Sequence, residues 1–172
     1  MTRALEIAER GRFTTKPNPV VGCLIVQGSE VIAEGWHERA GYAHAEINAL
    51  QAAGVAARDA QAIVTLEPCS HIGRTGPCVE ALISAGIVRV SAAMQDPNPA
   101  VAGKGFQRLR DAGMEVVIGI EGKRAAALNP GFIRRMQTGR PRVRVKLAAS
   151  MDGRTAASDG SSQWISSEAS RE

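Results

Sequence analysis

The stretch AIVTLEPCSHIGRTGPCVEALISAG, residues 62–86, sets two cysteines nine positions apart between two apolar segments. Its first five residues have the length and apolar content of a buried β-strand. The segment that begins at Cys78 predicts a helix, and Pro77 suits the start of that helix. Because a strand, a polar loop and a helix follow one another, this stretch favours an α/β domain.

The rest of the chain repeats the alternation of strand-like and helix-like segments. A helix is predicted to end at Gly11, and another to run from about His44 to Gly54. We therefore predict a sheet covered by helices on both faces. The other predicted elements are strands at 20–26, 31–36, 62–66, 88–94 and 114–120 and a helix at 106–113, with QGSE (27–30) as the turn between the first two strands.

Length and composition indicate one main globular domain. The chain has 172 residues, of which 44% are apolar and 22% charged. No apolar run approaches the length that crosses a bilayer, and the charged N-terminus does not resemble a secretory signal. We expect a cytoplasmic protein with no membrane partner.

The charge balance does not favour nucleic acid as a partner. A formal net charge of +4 is compatible with a small phosphorylated substrate, and aromatic residues, which form the stacking platforms of single-strand binders, make up only 3% of the chain. We expect no nucleic-acid partner.

The chain has three cysteines, and their chemistry has to be decided. Cys69 and Cys78 could form a disulfide, bind a metal or be a chance pair. An odd number of cysteines in a reducing compartment favours metal binding or catalysis. Cys23 lies inside an apolar strand, where we expect a buried thiol without a functional role.

Three polar motifs fall where a helix is expected to begin or a strand to end. They are HAE at 44–46, EPC at 67–69 and PC at 77–78. Such junctions lie at the sheet edge where α/β folds place their sites. One imidazole and two thiolates would supply three zinc ligands and leave the fourth position open. Glu46, which is not needed as a ligand, could then move protons, and the helix start should lower the pKa of Cys78.

H-x-E followed by P-C is typical of zinc-dependent nucleobase deaminases, although there the second cysteine follows after two residues rather than eight. Together with TKPNPVVGCLIV (15–26), TLEPCSHIGRTGPC (65–78) and MQDPNPAVAGKGFQRLRDAG (94–113), the sequence resembles the deaminase domain of the bifunctional riboflavin-biosynthesis deaminase/reductase. The long insert between the cysteines is characteristic of that family. Residues 143–172, with VKLAASMDGRTA and GSSQWIS, resemble the opening of its reductase domain.

This resemblance implies a fold and a domain organisation. The fold would be a three-layer α/β/α, cytidine-deaminase-like domain with a central mixed sheet. Residues 1–140 would form the deaminase domain, and residues 141–172 an N-terminal fragment of a reductase domain that is dihydrofolate-reductase-like when complete. A homo-oligomer is expected.

The resemblance also implies a reaction and its residues. The substrate would be diaminohydroxyphosphoribosylaminopyrimidine, a small phosphorylated pyrimidine that is hydrolytically deaminated with Zn²⁺, whereas NADPH would serve only a complete reductase. His44, Cys69 and Cys78 would bind zinc, and Glu46 would carry the proton. Substrate contacts would come from Asn18, His37, His71 and Arg74, with Asp96 and Asn98 at the rim, and the reductase-side candidates are Lys146, Ser150, Asp152 and Trp164.

Two other readings of the motifs stay open. A nucleoside or tRNA deaminase is favoured by the basic segment 134–146 but opposed by the cysteine spacing and the few aromatic residues. A non-enzymatic zinc module would need a fourth protein ligand, for which His71 is the nearby candidate.

Overall fold

The computed structural model describes residues 1–71, 76–99, 101–163 and 167–170. By its internal contacts the chain divides into two compact units, Met1–Arg142 and Val143–Glu172. No helix in the described part of the chain is long and apolar enough to cross a membrane.

The first unit contains a five-stranded sheet and six α-helices among its described residues. The strands are β1 (Gly22–Gln27), β2 (Glu30–Trp36), β3 (Gln61–Val64), β4 (Arg89–Ala92) and β5 (Glu115–Ile118). The helices are α1 (Thr2–Ala8), α2 (Ala45–Ala53), α3 (Cys78–Ser84), α4 (Lys104–Asp111), α5 (Gly122–Leu128) and α6 (Pro130–Thr138), with 3₁₀ turns at Glu9–Gly11 and Gly54–Ala57.

The sheet is mixed, with the strand order β2-β1-β3-β4-β5. β1 is antiparallel to both of its neighbours, whereas β3, β4 and β5 are parallel. Parallel strands need crossover connections, and α3 and α4 follow β3 and β4 in the chain. The carboxyl ends of β3 and β4 therefore lie side by side, with Val64 paired to Ala92.

The two faces of the sheet carry different apolar clusters, as the alternation of side chains in β1 requires. Cys23 and Ile25 belong to the main core, which also holds Phe106 of α4. Leu24 packs on the opposite face in a cluster with Ile7 of α1. The three-layer α/β/α arrangement expected from the sequence is thus confirmed.

Gly35 of β2 is the point at which helix α2 approaches the sheet most closely. A Cβ atom at this position would lie 2.3 Å from the backbone nitrogen of Ala49 and 2.4 Å from the carbonyl oxygen of Ala45. Only glycine allows this approach, because any larger residue would overlap the helix backbone. The helix that begins directly after His44 is therefore set at a fixed depth on the sheet.

The second unit consists of turns in its described part. Ser150 and Arg154 close one turn through the bond from Ser150 N–H to the Arg154 carbonyl (2.9 Å), and the only helical turn described is the 3₁₀ segment Glu168–Ser170. The described residues of this unit contain no strand. A strand requires a neighbouring strand for its backbone hydrogen bonds, and this part of the chain offers none.

Candidate active site

Three sulfur and nitrogen donors converge where α2, α3 and the loop after β3 meet. Nδ1 of His44 lies 3.3 Å from Sγ of Cys78 and 3.5 Å from Sγ of Cys69. The ligand atoms of all three residues lie within 4.8 Å of one another. His71 is exposed and is not a member of this group, so the fourth protein ligand of a closed zinc module is not supplied by it.

Local structure explains why these residues meet. His44 is the extended N-cap residue of α2, and Cys78 is the first residue of α3. The loop that carries Cys69 is closed onto α3, because the N–H of Val79 donates to the Cys69 carbonyl (3.2 Å) and the N–H of Cys78 lies 3.4 Å from the Cys69 sulfur. All three cysteines are free thiols, and one imidazole with two thiols fits a zinc ion with one open position.

The two cysteines differ in acidity. The neighbouring Cys78 and His44 stabilise the thiolate of Cys69 and so lower the pKa of Cys69. The pKa of Cys78 is raised, because its own proton is held by the Cys69 sulfur and because burial disfavours a second negative charge. The expectation that the helix start lowers the pKa of Cys78 was therefore wrong for the thiol pair itself. Metal binding requires both thiols to be deprotonated.

Glu46 lies in the first turn of α2 and is only 3% exposed. Burial, followed by the negative charge of Cys69, raises its pKa to about 7. A carboxyl group with a pKa near neutrality can both accept and release a proton under physiological conditions. Glu46 stands outside the group of three ligand residues, which leaves it available for that task.

A buried imidazole and an amide lie beside the ligand residues. Nδ1 of His37 is 2.9 Å from the carbonyl oxygen of Ala43, to which it donates, and its Nε2 is 3.1 Å from the side-chain nitrogen of Asn18. Burial lowers the pKa of His37, which favours the neutral ring that this pair of bonds requires. The ring stands edge-on to His44, with centroids 5.4 Å apart.

The other candidate substrate residues lie on the loops that follow β3 and β4. Asp96 accepts a bond from the N–H of Asn98 (2.8 Å), and burial raises its pKa while His71 acts in the opposite direction. Asp96 thus lies within electrostatic reach of both His71 and the ligand residue Cys69. Arg74 lies outside the described residues.

The reductase-side candidates belong to the second unit. Ser150 donates a hydrogen bond to Asp152, which also pairs with Arg154 at 3.0 Å. Lys146 is exposed in an extended segment. Trp164 lies outside the described residues.

Two buried polar residues, Glu67 and Asn129, were not predicted to have a role. Both use their side chains to bind backbone groups of distant segments. A polar residue next to a proline, as each of them is, was the only local signal, and it does not distinguish a buried side chain from an exposed one.

The fold and the site together define a class of protein. Residues 1–94 match the family model of the cytidine and deoxycytidylate deaminase zinc-binding region, and residues 141–172 match the RibD C-terminal domain. The chain thus belongs to the cytidine and deoxycytidylate deaminase zinc-binding family.

More specific relatives match nearly the whole chain. It is 58% identical over 171 residues to the riboflavin biosynthesis protein RibD of Escherichia coli (strain K12), covering 99% of this chain and 47% of that protein. It is 50% identical over 141 residues to the diaminohydroxyphosphoribosylamino-pyrimidine deaminase of Buchnera aphidicola subsp. Schizaphis graminum, covering 82% of this chain and 96% of that protein.

A solved structure agrees. The diaminohydroxyphosphoribosylaminopyrimidine deaminase/5-amino-6-(5-phosphoribosylamino)uracil reductase of Thermotoga maritima superposes with a TM-score of 0.89 at 40% identity, covering 98% of this chain and 49% of that one. The chain spans about half the length of these longer relatives. It belongs to the family of riboflavin-biosynthesis pyrimidine deaminases.

Proposed function

We propose that this chain hydrolyses the ring amine of diaminohydroxyphosphoribosylaminopyrimidine to a carbonyl and releases ammonia. One observation carries the proposal: the buried carboxyl group of Glu46 lies in the first turn of the helix that His44 caps, next to a three-donor group that fits zinc. The identity of the substrate is inferred from the family relationship.

The residues of the site would have two roles, metal binding and proton transfer. His44, Cys69 and Cys78 would hold zinc, which lowers the pKa of a water molecule and so supplies a nucleophile at neutral pH. Glu46 would take the proton that this water loses as its oxygen adds to the ring carbon, and would pass that proton to the adjacent ring nitrogen. The same carboxyl group would then carry the remaining hydroxyl proton to the amine, so that the carbonyl forms as the carbon–nitrogen bond breaks and ammonia leaves.

Substrate binding is assigned to the polar residues around this group. The amide of Asn18, held by His37, presents donor and acceptor groups that suit a pyrimidine edge. Asp96 and Asn98 would form the rim, His71 would line the site, and Arg74 would pair with the ribose phosphate.

The proposed activity is tested by comparing three candidate substrates. Ammonia release is measured with the ribosylaminopyrimidine phosphate, with cytidine and with tRNA, the last two because the basic segment 134–146 favours the alternative deaminases. We expect turnover of the first substrate alone. Comparable or faster release from cytidine or tRNA would reassign the enzyme.

We further propose that residues 1–140 act as the deaminase domain and that residues 141–172 begin a reductase domain. In a complete chain, Lys146, Ser150, Asp152 and Trp164 would serve an NADPH-dependent reduction of the ribosyl side chain. Thirty residues do not enclose a core, so we expect the 172-residue chain to deaminate without oxidising NADPH. Nicotinamide absorbance, followed in the presence of the deaminated product, tests this expectation, and NADPH oxidation would contradict it.

The remaining proposals concern surroundings and assembly. We expect the protein to act in the cytoplasm as a homo-oligomer that does not bind nucleic acid. Large apolar side chains at Phe13, Tyr42 and Val55 are more than half exposed and are candidates for subunit contacts. Light scattering of the purified chain measures the assembly, and a strictly monomeric mass would contradict it.

A further inference from the structure

Glu67 is a buried charged residue that the chemistry described above does not use. It lies three residues after the end of β3, stands two positions before the ligand Cys69, and is only 3% exposed. A buried carboxyl group is stable only if its oxygens are hydrogen-bonded. Its bonding partners therefore indicate what it does.

Within the described part of the chain, four backbone N–H groups donate to the Glu67 side chain. One oxygen accepts from Asp96 (3.1 Å) and Gly103 (2.9 Å), and the other accepts from Gly105 (2.9 Å) and Phe106 (3.4 Å). Gly105 and Phe106 lie in the first turn of α4, whose N–H groups have no partners within the helix. The N-cap residue of that helix, Gly103, has no side chain with which to cap it, so Glu67 supplies the cap from another element.

A second contact joins the same two elements. A Cβ atom at Gly105 would lie 2.2 Å from the carbonyl oxygen of Pro68, so the first turn of α4 rests directly on the backbone between Glu67 and Cys69. The start of α4 and the loop that carries the metal ligand are thus packed backbone against backbone. Neither can shift without the other.

The loop between β4 and α4 is closed by this arrangement. A single oxygen of Glu67 binds Asp96 near the beginning of the loop and Gly103 at its end. Within the loop, the N–H of Asn98 is bound to the Asp96 side chain, and the carbonyl of Asn98 accepts from Val101 and Ala102 at 2.9 Å each. The Glu67 carboxyl group therefore fixes the loop that presents the two rim residues relative to the loop that carries Cys69.

We propose that Glu67 is a positioning residue for substrate recognition: it fixes the rim loop, residues 96–99 and 101–103, relative to the metal ligand Cys69 without touching the substrate. This inference rests on the proposed function, in which Asp96 and Asn98 contact the substrate. It predicts an effect of Glu67 on substrate binding that is larger than its effect on the metal.

The first test is Glu67→Gln. Glutamine has the same shape, but one of its two acceptor atoms is replaced by a donor, so one pair of backbone N–H groups loses its partner. Hydrogen exchange, read by mass spectrometry, is expected to become faster in the peptide that covers residues 95–106, and zinc content is expected to stay unchanged. We expect KM to rise about tenfold with a smaller change in kcat, because small displacements of binding groups cost up to about a hundredfold.

Ile7→Val is the matched control, since Ile7 is fully buried in the cluster on the opposite face of the sheet. It is expected to lower Tm without changing KM or the exchange of residues 95–106. If Glu67→Gln does not fold, Gly105→Ala displaces the same helix start from the Pro68 carbonyl and is expected to raise KM and the exchange in the same way.

A double-mutant cycle with Asn98→Ala separates positioning from general stability. If Glu67 acts through the rim loop, Glu67→Gln raises KM less in the Asn98→Ala background than in the native one. Unchanged exchange at 95–106, an unchanged KM in Glu67→Gln, or an equal rise of KM in the native and Asn98→Ala backgrounds would each overturn the proposal. If the native protein releases no ammonia from the ribosylaminopyrimidine phosphate, the proposed function fails, and the exchange measurement still decides the role of Glu67.

Discussion

The side-chain amide of Asn129 is paired with both backbone groups of Val20, which precedes it by 109 positions. Its oxygen accepts from the Val20 N–H at 2.7 Å, and its nitrogen donates to the Val20 carbonyl at 2.9 Å. Asn129 thereby satisfies the backbone just before β1, as a neighbouring strand would do. Asn18, whose side chain is bonded to His37, lies two residues before Val20. The pairing of Asn129 with Val20 therefore also holds the segment that carries Asn18.

Replacing Asn129 by alanine leaves both buried groups of Val20 without a partner. We expect Asn129→Ala to lower the free energy of unfolding by about 2 to 3 kcal/mol, since each unpaired buried group costs about 1 kcal/mol or more. Urea denaturation measures the change. Gln107→Ala, which removes an exposed pair with Asp111, serves as the control and is expected to stay within about 0.5 kcal/mol of the native protein. Equal losses in the two variants would contradict the structural role of Asn129.

The metal assignment is tested with the cysteines. We expect about one zinc ion per chain in the native protein, and loss of both zinc and activity in Cys69→Ser and Cys78→Ser, because each variant removes a thiolate ligand. Cys23→Ala is the control, because the Cys23 thiol is fully buried in β1 and is not a ligand. This variant protein should therefore retain its zinc. Elemental analysis gives the metal content. Full occupancy in the Cys69→Ser, Cys78→Ser double variant would rule the assignment out.

Glu46 is predicted to act on protons rather than on the metal. Glu46→Gln keeps the size of the side chain but removes the titrating group, so zinc content should persist while kcat falls by about a hundredfold or more. The measurement is ammonia release per zinc-loaded chain. Near-normal turnover with retained zinc would mean that another base carries the proton.

Arg74 is predicted from the sequence to pair with the substrate phosphate. Arg74→Ala should raise KM for the phosphorylated substrate much more than for its dephosphorylated analogue, and added salt should partly reproduce this loss in the native enzyme. Steady-state kinetics on both substrates at two ionic strengths make the comparison. Equal losses on the two substrates would indicate a structural role instead.

Local patterns were sufficient for most of the fold. Strands such as β1 have the apolar runs of buried strands, and the helices after His44 and Pro77 have clear starts, so their positions were predicted to within a few residues. Helices α5 and α6 were not predicted. The segment around Asn129 and Pro130 lacks a fully buried apolar face, since α6 has no buried residue, and periodicity therefore gives little signal there.

The site was predictable where it depends on motifs and not where it depends on contacts. HAE and the two P-C pairs located the metal group in advance. The direction of the pKa shift of Cys78 was predicted wrongly, because it depends on the Cys69 sulfur, which the fold brings next to the Cys78 thiol. The roles of Glu67 and Asn129 depend on backbone groups far away in sequence, and no local pattern records such partners.

The close approach at Gly35 bears on how the domain can be engineered. Helix α2, which begins directly after His44 and carries Glu46, packs against the backbone of Gly35. Because Gly35 has no side chain, its α-carbon sets the distance of both residues from the sheet. Enlarging residue 35 would tilt or lift the whole helix and detune both groups at once. Attempts to retarget the enzyme to another ring amine should therefore leave Gly35 unchanged.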